Sequence, residues 1–170
     1  MRSDVNALLD AIERAFAGVG PGAITLHEAE VLDNYAVEAE RQRARRHDPE
    51  TDWREVPDAS IVACPTALSH LDPDGWRFYL PACMRYALRT WDRPHAPPAF
   101  SIDQVIYTLA PGCDPELRAH TIIRFERLDE AQRAVVVRFL ELAASDDDAA
   151  DAVVAREALD GYWRRPADAS

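Results

Sequence analysis

The sequence predicts an all-α, mainly helical fold: a compact single-domain bundle of about seven or eight short helices with proline-rich connections. Three observations predict it: apolar residues recur at helical spacing, capping residues precede those segments, and proline or glycine separates them. The 170 residues, 48% hydrophobic and 29% charged, are typical of one globular domain. We therefore expect a single domain over residues 1–170, with an ordered core over about 4–164.

Two helices are predicted at the N-terminal end. Apolar residues at helical spacing predict a first helix over 4–17, with Ser3 in position to cap it. A glycine-rich segment then ends this helix. Thr25 and Glu28 have the spacing of a capping box, which predicts a second helix through about Tyr35.

The middle of the chain combines a polar stretch with the predicted central helix. Residues 38–55 interleave arginine with acidic residues, which is typical of a solvated helix end and loop. Residues 72–75 form a turn that is expected to cap the central helix over 73–91. Pro81 lies inside that helix and predicts a kink or a break, and residues 92–100, with three prolines, predict a loop.

Four helices are predicted beyond this loop. Ser101 and Gln104 have capping-box spacing, and a further helix is expected over about 115–127. Asp129 is expected to cap the clearest helix. Three consecutive valines suggest a strand there, but the length of the segment and its helical period favour a helix. A last helix is expected over about 153–163.

The charge of the chain limits its partners. A net charge of −11 disfavours nucleic acid and anionic membranes, and makes a protein with a basic surface the conceivable partner. All nineteen basic residues are arginine, so no lysine can form a Schiff base or fill a Walker A motif. No segment has the length or apolar character of a signal peptide or membrane span, so we expect a cytoplasmic protein.

The cysteine and tryptophan residues are predicted to pack in the core. Cys64, Cys83 and Cys113 are odd in number and widely spaced, which fits buried reduced thiols better than disulfides or a zinc site. The tryptophans lie in apolar patterns, and an interface anchor is the alternative for them. They are Trp53, Trp76, Trp91 and Trp163.

The densest polar cluster lies on the predicted second helix. It comprises His27, Glu28, Glu30, Asp33 and Asn34, and helical spacing puts His27, Glu30 and Asn34 on one face. His27 and Glu30 are candidate metal ligands, and His27, Glu28 and Asp33 are candidate catalytic residues. The alternative is that a surface helix simply carries polar residues here.

Two functions remain open from the residues alone. His70, His95 and His120 are isolated, and no complete catalytic constellation or cofactor motif is present, so no cofactor is expected. The first hypothesis is a non-catalytic, acidic binder or inhibitor of another protein, similar to small bacterial immunity proteins. The alternative is a metal-assisted hydrolase-like enzyme built on the polar cluster. The sequence leaves the oligomeric state open.

Three segments of the chain resemble a bacterial family of small proteins known only as a domain of unknown function. These segments are residues 24–35, 67–88 and 128–144. Within them, His-Glu-Ala, Asp-Asn-Tyr and Phe-Tyr-Leu-Pro stretches are similar to those of the family. The resemblance implies a bacterial, single-domain helical protein and draws attention to the His27 segment, but it implies no activity.

Overall fold

The computed structural model describes residues 2–91, 100–146 and 150–164 of the chain. The helices of these residues are α1 Arg2–Ala15, α2 Leu26–Leu32, α3 Glu38–Arg45, α4 Asp58–Ala63, α5 Pro73–Thr90, α6 Ile102–Leu109, α7 Pro115–Phe125, α8 Glu130–Ala144 and α9 Ala152–Ala158. Two 3-10 turns, Trp53–Glu55 and Ala67–Ser69, and a π-helical segment, Leu159–Trp163, complete them. No strand occurs in the described residues, so the all-α prediction is confirmed.

Local capping explains where several helices begin. Ser101 accepts the Asp103 amide at 3.2 Å and Asp129 accepts the Gln132 amide at 2.9 Å, so α6 and α8 begin as predicted. Asp72 caps α5 through the Gly75 amide, at 3.4 Å. The prediction for Ser3 was wrong, because α1 already begins at Arg2 and includes that residue.

The central helix α5 is continuous through Pro81, so the break considered from the sequence does not occur. Two-thirds of its residues are buried, among them Trp76, Tyr79 and Met84. An interior proline costs a helix about 3 kcal/mol, and burial of a few large apolar side chains at about 1.5–3 kcal/mol each offsets that cost. The core is therefore built around α5, which contacts α1, α4, α6 and α7.

The first helix packs against a helix from the far end of the chain. α1 contacts both α5 and α8, and α8 in turn contacts α9. Gln132, which is 1% exposed, donates from Nε2 to the Ala15 carbonyl at 3.0 Å and accepts at Oε1 from Arg77 Nε at 3.0 Å. This buried amide joins the ends of α1, α5 and α8 with its hydrogen bonds satisfied.

The tryptophans, which are predicted to pack in the core, are mostly buried there. Trp53, Trp76 and Trp163 are buried, and Trp91 is half-buried against the same cluster. The ring of Phe125 lies 5.7 Å from that of Trp76 and 4.6 Å from that of Trp163. The packing prediction for the tryptophans is therefore confirmed for three of them and partly for the fourth.

The prediction of buried thiols holds for two of the three cysteines. Cys64 and Cys83 are buried and reduced, whereas Cys113 is free and exposed on the connection between α6 and α7. A glycine in the left-handed region precedes Cys113, at φ 71°, and turns the chain at the surface there. His95 and residues 92–99 of the predicted loop lie outside the described residues.

Candidate functional site

An open cavity of about 570 Å³ lies between α2, α3 and the end of α4. His27, Glu30 and Asn34 line it from one face of α2 and the residues just after it, as their spacing predicts. The apolar part of its wall is formed by Val31, Ala36, Ala44 and Ala63. The remaining lining residues are Glu40, Arg43, His47 and Cys64. We refer to it as the α2–α3 cavity.

The His27 side chain is held by Asp48, a residue of the stretch that is predicted to be solvated. Asp48 Oδ2 accepts the His27 amide at 2.8 Å, and Oδ1 lies 2.6 Å from His27 Nδ1. The Asp48 side chain is only 2% exposed. Since a carboxylate only accepts, Nδ1 carries a proton, and in the neutral imidazole Nε2 then has the lone pair. No described residue forms a hydrogen bond with that Nε2 atom.

Glu28 does not line the cavity, because two arginines of α3 enclose its carboxylate. Its Oε1 accepts from Arg41 Nη2 at 2.8 Å and Nε at 3.2 Å. Its Oε2 accepts from Arg45 Nη2 at 2.6 Å and Nε at 3.0 Å. Glu28 is 1% exposed, so this carboxylate joins α2 to α3, and nothing in its geometry offers it to a substrate as a base.

Glu30 and Asp33 have different surroundings. Glu30 Oε2 accepts from the amide and the hydroxyl of Thr66, at 3.0 and 2.9 Å, and its Oε1 is left without a hydrogen bond in the described structure. Asp33 is outside the cavity lining, and its Oδ1 atom lies 3.2 Å from His70 Nε2. Of the four predicted acid–base and metal candidates, the structure therefore brings only His27 and Glu30 together in the cavity.

His47 and Cys64 are among the lining residues that the sequence did not assign to the site. The ring centroid of His47 lies 5.3 Å from that of His27. Burial raises the pKa of the Cys64 thiol to about 12, and the negative charges of Glu30 and Asp48 add to this effect. The thiol is therefore protonated at neutral pH and is a poor nucleophile. Within residues 2–91, 100–146 and 150–164, no three His, Cys, Asp or Glu residues are placed to hold a metal ion.

The edge of the cavity carries two exposed apolar side chains. Tyr35 is 96% exposed and Val37 is 63% exposed, and Ala36 between them lines the cavity. Tyr35 adopts a left-handed backbone conformation, φ 56°, which explains why α2 ends at Leu32 before the predicted end. Such a conformation costs a bulky residue about 1 kcal/mol or more. We call Tyr35, Ala36 and Val37 the rim.

Comparison with known proteins identifies a family but no activity. No described helix combines the length and the apolar character needed to cross a membrane. No curated protein and no solved structure matches the chain. A model for a family of unknown function, DUF6714, matches residues 4–167. The chain therefore belongs to the DUF6714 family of unknown function.

Proposed function

We propose that this protein is an interaction module, a binder or inhibitor of another protein, and that it binds through the rim and the α2–α3 cavity. The observation that carries the proposal is the nearly complete exposure of Tyr35 on a left-handed backbone beside an open cavity. Exposed tyrosine is a typical interface anchor, since it contributes a large contact area at a small entropic cost.

The charge of the chain favours a partner with a basic surface. The net charge is −11, and Glu38 beside the rim has a side chain that is 67% exposed. Complementary charge accelerates association, and salt screens that effect. The proposed complex therefore forms more slowly as the ionic strength rises, while the apolar contacts at the rim control its dissociation.

The test compares two double variants in an affinity pull-down from lysate of the native organism. Tyr35→Ala/Val37→Ala removes the apolar side chains of the rim. Leu117→Ala/Val153→Ala removes two other exposed apolar side chains, which are 67% and 58% exposed. We expect a stoichiometric partner that the first variant loses and the control retains. Equal retention by both variants would contradict the proposed binding surface.

One observation favours the alternative, a metal-assisted hydrolase-like enzyme. His27 lines a cavity and has an orienting carboxylate on Nδ1, which leaves a lone pair on Nε2 when the ring is neutral; many catalytic and metal-binding histidines have this arrangement. Glu28 is enclosed by arginines, so Glu30 is the remaining acidic group of the predicted set in this cavity. Zinc that remains bound after dialysis to the original chain, but not to His27→Ala, would favour this alternative.

A further inference from the structure

We infer that the α2–α3 cavity receives a cationic side chain, arginine or lysine, from the partner protein. This inference rests on the proposed function and specifies the chemistry of the group that enters the cavity. Its basis is the combination of a fixed imidazole acceptor, carboxylate oxygens that are free to accept, and an apolar wall.

The acceptor is His27 Nε2. Asp48 bonds to both the amide and Nδ1 of His27, so the ring cannot easily rotate or change tautomer. The buried negative charge of Asp48 also lies directly behind the ring. An acceptor of this kind is suited to the N–H donors of an ammonium or guanidinium group.

Two carboxylates of the cavity lining add negatively charged hydrogen-bond acceptors. Glu30 is held by Thr66 and Glu40 by the Val37 amide, at 3.1 Å, and each uses only its Oε2 atom. Both Oε1 atoms therefore lack a hydrogen bond within the described residues. Among the described residues of the lining, Arg43 is the one arginine, and it is exposed. Two carboxylates on the lining and a third behind His27 outweigh its single positive charge.

The apolar wall suits the hydrocarbon part of the same side chain. Val31, Ala36, Ala44 and Ala63 contribute no charged atoms to the lining. Arginine and lysine side chains bury an aliphatic stem along apolar surface and keep a charged end in a polar environment. A volume of about 570 Å³ lies within the usual range of about 300–1,000 Å³ for ligand pockets.

The test uses small probes in place of the partner. n-Butylamine and n-butylguanidinium carry the stem and the cation, whereas 1-butanol and butyrate carry the stem without a positive charge. Binding is followed in the full-length protein by long-range ¹H–¹⁵N correlation spectra of the imidazole nitrogens. We expect the two cations to shift His27 Nε2 saturably, with a dissociation constant at least about tenfold lower than that of butanol or butyrate.

Charge-neutral variants test the role of the carboxylates. Glu30→Gln/Glu40→Gln keeps an acceptor oxygen at each position, so the bonds to Thr66 and Val37 can persist while the charge is lost. We expect this variant to bind the cations about tenfold more weakly, whereas Glu126→Gln, on the exposed end of α7, leaves binding unchanged.

The outcomes separate this inference from the proposed function. Butyrate or butanol binding as tightly as the cations, or undiminished cation binding by the double variant, would overturn the inference. The pull-down with the rim variants does not depend on either result. A partner lost on removal of Tyr35 and Val37, together with no cation preference, would leave the proposed function standing and only this inference refuted.

Discussion

Two glycines determine how closely the connection after α1 can approach α5. A Cβ atom on Gly22 would lie 2.0 Å from the Gly75 nitrogen and 2.5 Å from its Cα. Because the two segments lie so close together, Asp72 can accept hydrogen bonds from both: from the Ile24 amide at 2.8 Å and from the Gly75 amide. The sequence shows Gly22 only as part of a helix-breaking segment, because the residue that it meets lies 53 positions later.

Gly22→Ala is expected to destabilise the protein by about 2 kcal/mol, because backbone atoms of two segments must move apart. Urea unfolding followed by circular dichroism measures the change in the free energy of unfolding. Gly20→Ala is the matched control, since a Cβ there meets nothing within 4 Å. Equal stability of the two variants would disprove the close approach.

At the scale of elements, α2 and α3 are joined mainly through one buried carboxylate. Oε1 of Glu28 accepts two N–H donors from Arg41, and Oε2 accepts two from Arg45 as well as the Thr25 amide. A buried carboxylate requires such partners to offset its lost hydration. Because α2 and α3 form two sides of the cavity, this contact also holds those two sides together.

Glu28→Gln is expected to cost about 2 kcal/mol of stability, below the usual 3–5 kcal/mol for breaking a buried pair because both arginines are partly exposed. Thermal or urea unfolding tests this value. The control is Glu38→Gln, which removes an exposed partner of the same Arg41 and should change the stability by less than about 0.5 kcal/mol. A loss of stability no larger than that of the control would mean that Glu28 does not hold the two helices together.

How well an element could be predicted depended on how local its determinants are. α6 and α8 were predicted because their caps and apolar periods lie within one segment. α3 was not predicted as a helix of its own, since it has few apolar residues and its arginines find their acidic partner on α2. Likewise the predicted end of α2 is too late, because no glycine or proline precedes Tyr35 in this segment and the left-handed backbone of Tyr35 leaves no signal in the sequence.

The candidate site was predictable only on its α2 side. The spacing of His27, Glu30 and Asn34 placed them on one face, and they do line one cavity. Asp48 lies 21 residues after His27, and no periodic pattern links the two. Asp48 reaches His27, and Glu28 meets two arginines, because of the path that the chain takes through α3. Neither helix propensity nor apolar periodicity predicts that path.

At the scale of the molecule, the core divides the three thiols into two classes. Cys64 and Cys83 are 2% and 1% exposed, and Cys113 is exposed. Burial raises the pKa of both buried thiols, so little thiolate forms at pH 8, where an exposed thiol ionises appreciably. Alkylation of Cys83, on the central helix, therefore requires the core to open.

Iodoacetamide at pH 8 is expected to add one group to the native protein, at Cys113, and three groups in concentrated urea. Intact-mass spectrometry counts the groups and peptide mapping locates them. Cys113→Ser is the control and should give no adduct on the same timescale in the native state. Rapid native modification of Cys83 would contradict a closed core around α5.

The packing of α1 on α8 has a consequence for the order of folding. The Ala15 carbonyl receives its hydrogen bond from Gln132, 117 residues later in the chain. During synthesis, the part of α1 that packs on α8 therefore stays uncovered until α8 has left the ribosome, and chaperones or premature contacts can reach it in that interval. Contacts between residues so far apart in the sequence slow folding, relative to helical bundles in which each helix packs on the next one in the chain. A helix that is made late thus completes the burial of α1.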